Sequence, residues 1–149
     1  MSNRPILIAY DGSDYAQAAI AQAAEQLDRH RRVVVLTVSQ PVDAAYMGPA
    51  VVPAGLDEDI ENDAFQVAEE GATLAREAGF EAEPLVELGS PVWQRIVEAA
   101  DERDVGVLVL GSHGRTGIQR VLLGSVAAAV AAHTNRAVLI THAPDSTPR

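Results

Sequence analysis

The chain has 149 residues, enough for one domain with a sizeable core, and its 48% apolar and 21% charged content is that of a globular protein. A net charge of −10 argues against a nucleic-acid binder, since phosphate backbones would be repelled. Without cysteine there is neither disulfide nor thiolate chemistry, and no apolar run approaches the roughly 20 residues needed to span a bilayer.

The opening MSNRPILIAYDGSD lacks a basic region followed by an apolar core, so a cytoplasmic protein is expected. Pro5 to Tyr10 (PILIAY) is a short continuous apolar run of the buried-strand type. Ser13 or Asp14 can cap the helix that follows, whose inner face (Ala16, Ala19, Ile20, Ala23, Ala24, Leu27) is mostly alanine. Val33 to Ser39 is a second strand. Gln40 to Gly55 is a long loop rich in proline and glycine, expected to be a functional lid or an insertion. The acids Asp57, Glu58, Asp59, Glu61 and Asp63 read as a solvated helix start favoured by the dipole rather than a metal site. That helix runs to about Gly79, with Gly71 on its inner face.

Glu81 to Leu88 contains Pro84, which cannot donate to a ladder, and is expected at a sheet edge. Ser90-Pro91 opens the next helix with proline at its first position, and Val92, Ile96, Val97 and Ala100 face inward. Val105 to Leu110 is a strand, followed by a glycine loop and a helix through about His133. Ala137 to His142 is the last strand. Residues 1–143 are expected to form the domain and 144–149 a flexible tail. Apolar strands separated by helices indicate one doubly wound α/β domain, a parallel sheet with helices on both faces.

The chemistry concentrates in GSHGRTGIQRVLLGSV, from Gly111 to Val126. Gly111 and Gly114 let backbone approach a ligand, Arg115 offers a donor fork for phosphate oxygens, and Gly124-Ser125 adds N–H groups and a hydroxyl. Together they read as an anion cradle for a nucleotide polyphosphate. In open parallel sheets ligands bind beyond the carboxyl ends of strands, where strand order reverses. Asp11-Gly12-Ser13-Asp14 ends the first strand, and Asp11 there suits a ribose hydroxyl or a hydrated Mg²⁺. Neither the P-loop string nor G-x-G-x-x-G is present, which disfavours a P-loop NTPase or a nicotinamide enzyme. His113 reads as a loop-shaping or solvent-facing residue, Trp93 as a helix–sheet or interface packing residue, and His30, His133 and His142 lack metal-ligand spacing.

Gly111, Gly114, Gly124 and Ser125 fit the pattern G-x-x-G, nine residues, G-[ST], and on these residues the chain resembles the universal stress protein family. The likeness extends to ILIAYDGSD, to the second strand ending LTVS and to Gly89-Ser90-Pro91; Thr37 stands where the family often has histidine. The resemblance implies a five-stranded sheet in order 3-2-1-4-5, with the Asp11 and Gly111 loops side by side. It implies that Asp11 and Val38 hold ribose and adenine, and that Gly111, Gly114, Arg115, Gly124, Ser125 and Val126 surround the phosphates. Tyr10, Gly12, Leu110, Ser112 and His113 complete the expected site around ATP. Its Mg²⁺ would be met by Asp11 and Ser125.

The expected function is an ATP-dependent switch in stress response with little turnover and an unidentified protein partner. The alternatives are a slow ATPase or autophosphorylating enzyme, for which only Asp11 and His113 offer a base, and a nucleotide-independent dimeric scaffold. An apolar final strand left at an edge invites pairing with its own copy, and the family likeness also implies a homodimer there. Gly124→Val is expected to abolish ATP binding and keep the fold.

Overall fold

The computed structural model describes residues 3–40, 56–113 and 123–142. Five strands, β1 (Ile6–Ala9), β2 (Arg32–Ser39), β3 (Glu81–Leu88), β4 (Val107–Gly111) and β5 (Ala137–Thr141), form a wholly parallel sheet in the order β3-β2-β1-β4-β5. The expected doubly wound order is therefore the observed one. Residues 41–55, all but the first of the expected loop, and 143–149, which include the expected tail, lie outside the described residues, as do Gly114 and Arg115 of the glycine loop.

The helices divide between the two faces. α1 (Asp14–Gln26) and α2 (Leu56–Glu77) cover one face, where Ala19, Ile20, Ala23, Ala72 and Ala75 meet Ile6, Ile8, Val33, Val35 and Val109. α3 (Val92–Glu102) and α4 (Ser125–His133) cover the other, with Ile96, Ala99, Ala100 and Val130 on Leu7, Leu36, Leu108 and Leu110. Central β1 is sealed from both sides: Ile6, Leu7 and Ile8 expose no surface. Each such side chain contributes about 1.5–3 kcal/mol by burial. That two-sided burial is why the strands read as continuous apolar runs rather than alternating ones.

Small residues set the helix–sheet distance. A Cβ on Gly71 of α2 would stand 2.7 Å from Tyr10 Cδ1 and 2.8 Å from Val35 Cγ1, so α2 rests directly on the end of β1. Ser13, not Asp14, caps α1: its Oγ accepts from the Ala16 N–H at 3.1 Å. β3 with Pro84 is an edge strand, as its missing N–H requires, and β5 is the other edge.

Several boundaries shift by a residue or two from expectation, among them Ile6–Ala9 for Pro5 to Tyr10, Arg32 for Val33 and Thr141 for His142, and two more lie close to the site. β4 starts at Val107 rather than Val105, whose buried residue belongs to the approach to the strand, and it takes in Gly111. Pro91 caps α3 from outside with extended dihedrals, and the helix begins at Val92. A proline is admitted at either position because it lacks the N–H that neither position pairs.

Candidate functional site

Strand order reverses at β1, whose neighbours β2 and β4 lead away in opposite directions along the sheet. Their carboxyl ends open a crevice there. A pocket of about 860 Å³ occupies it. One wall is apolar: Ala9 of β1, Leu36 and Val38 of β2, Leu110 of β4, and Val92 and Ile96 of α3. The other is polar, formed by Asp11, by Ser112 and His113, and by the first residues of α4.

Each wall is fixed by bonds that the local sequence dictates. At the end of β1 the Tyr10 N–H donates to the Leu36 carbonyl at 2.8 Å, and the buried Thr37 hydroxyl donates to the Tyr10 carbonyl at 2.8 Å. Thr37 thereby ties β2 to the loop that follows β1. The Tyr10 ring is buried, and its hydroxyl donates to Glu70 Oε1 of α2 at 2.8 Å. Burial above all, then the bond to Glu70 and its charge, push the Tyr10 phenol above its ordinary range. Just beyond, Gly12 turns with φ +83°, and Asp11 Oδ1 accepts from the Ser13 N–H at 2.9 Å, which orients the carboxylate at the pocket.

Opposite, Ser112 is pinned on both sides. Its N–H donates to the Thr141 carbonyl and its own carbonyl accepts from the Gly124 N–H, both at 2.7 Å. This second bond closes the glycine loop and delivers the amino end of α4 to the pocket. Gly124 caps that helix without a side-chain hydrogen bond, so the first-turn N–H groups are not covered by the cap residue. The positive end of the helix dipole and those N–H groups make an anion-binding terminus. His113 stands with Nδ1 3.1 Å from Ser112 Oγ and its ring 5.2 Å from that of Tyr15.

Of the expected site residues, Tyr10, Asp11, Val38, Leu110, Gly111, Ser112, His113, Gly124, Ser125 and Val126 line this one pocket. Gly12 is absent from the lining and acts through its positive φ. Two glycines have a packing reason besides the one expected. A Cβ on Gly111 would meet the Tyr15 backbone at 3.1 Å, so this glycine admits α1 against β4. A Cβ on Gly124 would stand 2.8 Å from the Ser112 carbonyl oxygen. Gly124→Val must therefore shift backbone, at a cost in stability that the sequence alone did not signal.

Ala9, Leu36, Ser39, Gln40, Val92, Ile96, Leu123 and Ala127 were not expected in the site. Two signals were available. Leu36 lies two residues from Val38 on the same strand face, and Val92 and Ile96 share a helix face at i, i+4. Trp93 packs as expected, stacked on His133 with centroids 4.2 Å apart. Among the described residues no cluster of three or more His, Asp or Glu forms a metal site, and no helix is long and apolar enough to cross a membrane.

The family model described as the universal stress protein family matches residues 2–142. The chain belongs to the universal stress protein family. Among its curated universal stress protein relatives, YxiE of Bacillus subtilis is 32% identical, over 91% of this chain and 96% of that protein. A universal stress protein from Archaeoglobus fulgidus, solved in complex with dAMP, superposes with a TM-score of 0.61 at 28% identity, covering 92% of this chain and 96% of the other. Another universal stress protein, solved in complex with cAMP, does so at 0.64 and 27%, covering 95% and 98%.

Proposed function

We propose that this universal stress protein binds an adenine nucleotide in the β1–β4 crevice and works as a nucleotide-dependent switch with little turnover. The observation that carries this reading is the joining, in one pocket of about 860 Å³, of an apolar wall and a helix terminus whose cap residue covers none of its N–H groups with a side chain. Leu36, Val38, Val92 and Ile96 offer the base a dry slot, and Asp11, held by its bond to Ser13, accepts from a ribose hydroxyl. The N–H groups at the start of α4 and the Ser125 hydroxyl take the phosphates, with Gly114 and Arg115 completing the cradle. The relatives solved with dAMP and cAMP support the adenine assignment.

ATP is our preferred ligand, because Arg115 and the second glycine pair suit a longer phosphate chain. Asp11 and Ser125 are hard oxygen donors, too few to hold a metal alone. They suit an Mg²⁺ that is carried mainly by nucleotide phosphates and water. A monophosphate as resting ligand is the second reading, favoured by those same relatives. We place the protein in the cytoplasm as a homodimer paired through β5, with a protein partner that reads the liganded surface. Among the described lining residues, Asp11 and His113 are the candidates for a general base, and both already make local hydrogen bonds.

Native mass spectrometry of the purified protein, followed by titration with Mg-ATP, AMP and cAMP, tests the proposal. A dimer retaining one adenine nucleotide per subunit is the expected result. A protein that binds none of the three at millimolar concentration has another function, and turnover above about 1 s⁻¹ would make it an enzyme.

A further inference from the structure

At the opposite end of the sheet, where the strands begin, a second cavity of about 510 Å³ lies among Arg32, Arg76, Arg103, Glu81 and Glu83, over a floor that includes Val34. All 11 basic residues of this acidic chain are arginine, so each carries a planar donor fork rather than a point charge. Elsewhere at this end such a fork is held by three bonds through Nε and Nη1. Arg136 donates from Nε to Asp101 at 2.9 Å, and from Nη1 to Asp104 at 3.0 Å and to the Val105 carbonyl at 2.8 Å.

Around the cavity the forks are held by fewer bonds. Arg32 makes no ion pair or side-chain hydrogen bond among the described residues, although Glu81 stands opposite it in the β2–β3 register. Arg103 reaches only its neighbour Glu102, at 3.7 Å. Arg76 engages Nε with the Ala82 carbonyl and Nη1 with Glu69, both at 2.9 Å, which leaves Nη2. Three guanidinium groups with unused donors thus border one concavity of a size common for small-molecule sites.

We propose that this cavity binds a small phosphate ester bearing free hydroxyl groups. The phosphate faces the forks of Arg32 and Arg103, whose geometry matches paired phosphate oxygens. Glu81 and Glu83, acceptor-only when ionised, take the hydroxyl hydrogens and favour an ester with several hydroxyl groups over inorganic phosphate, whose dianion has a single P–OH hydrogen to share between them. The site lies at the far end of the sheet from the nucleotide pocket, and it stands or falls independently of it.

The test is an amide ¹H–¹⁵N titration of the full chain with glycerol 3-phosphate, and in parallel with inorganic phosphate. We expect saturable shifts at residues 32–34 and 81–83 with a Kd of about 1 mM, no shifts at 111–113, and weaker binding of inorganic phosphate. An Arg32→Ala, Arg103→Ala double variant, both changes being at the surface, keeps a dispersed spectrum and loses at least about tenfold in affinity. The absence of saturable shifts at those amides overturns the site, as does unchanged affinity in the folded double variant. Equal affinity for inorganic phosphate overturns the role given to the glutamates.

Discussion

Replacing Ser125 by glutamate separates anion binding from folding. Ser125 is exposed, is the first residue of α4, and lines the larger pocket. A carboxylate at that position complements the helix dipole and should stabilise the free protein by about 0.3–1 kcal/mol. The same charge faces any phosphate seated on the helix terminus. At about 5 Å, one such pair repels by about 1 kcal/mol in water and about 3 kcal/mol at an effective dielectric near 20. The expected loss of affinity is therefore roughly 5- to 150-fold, larger for ATP than for AMP and shrinking as salt is added. Calorimetric titration of both nucleotides at two ionic strengths, beside thermal melts of the free variant, reads both effects. A variant that melts at or above the parent temperature yet binds within twofold of it would refute the placement of phosphate at α4. A variant that melts well below the parent would refute the description of this helix end.

Gly71→Ala sets two effects against each other. Alanine gains about 1 kcal/mol in helix propensity, but its Cβ would crowd the buried Tyr10 ring and Val35 at 2.7–2.8 Å. Overpacking of this kind costs about 1–3 kcal/mol, so a lower melting temperature is expected, and a higher one would show that α2 rides further from the sheet. For Gly124→Val the blocking atom is a backbone carbonyl, so we expect loss of about 1–3 kcal/mol of stability together with any loss of binding, visible in urea melts without ligand. Tyr10 keeps its proton in the folded state above the ordinary 10.0 at which the unfolded chain releases it. Folded protein then holds more protons than unfolded, so stability falls as pH rises past 10.0. Tyr10→Phe should lose about 1 kcal/mol at pH 7 with the hydroxyl bond, and its stability should decline less steeply in alkali; parallel alkaline slopes would disprove the shift.

The strands were legible because two-sided burial leaves continuous runs such as Ile6 to Ala9 and Val33 to Leu36. Pro84 marked its edge by chemistry alone. The order of the strands was not written in any run of residues and came from family likeness, since pairing partners β1 and β4 are some 100 residues apart. The glycine loop pointed to the same crevice that the strand order opens, and its glycines carry a packing reason as well. Gly111 and Gly124 are small because Tyr15 and the Ser112 carbonyl press on them, contacts that exist only once the sheet is assembled. Val92 and Ile96 were read as inward-facing, but whether inward meant core or pocket depended on where β2 ends beside them.

Because β1 pairs with β2 on one side and β4 on the other, the molecule is joined from two unequal parts along that seam. The β1–α1–β2–α2–β3 part is contiguous in sequence and can assemble from near neighbours, whereas the β4–α4–β5 part must return across a long closed loop. The larger pocket straddles this seam. Any ligand held there ties one part to the other, and its binding energy adds by mass action to the cohesion between them. Occupancy of the crevice would thus be felt first as slower opening of β4 and β5, in amide exchange at the edge of the sheet farthest from β3.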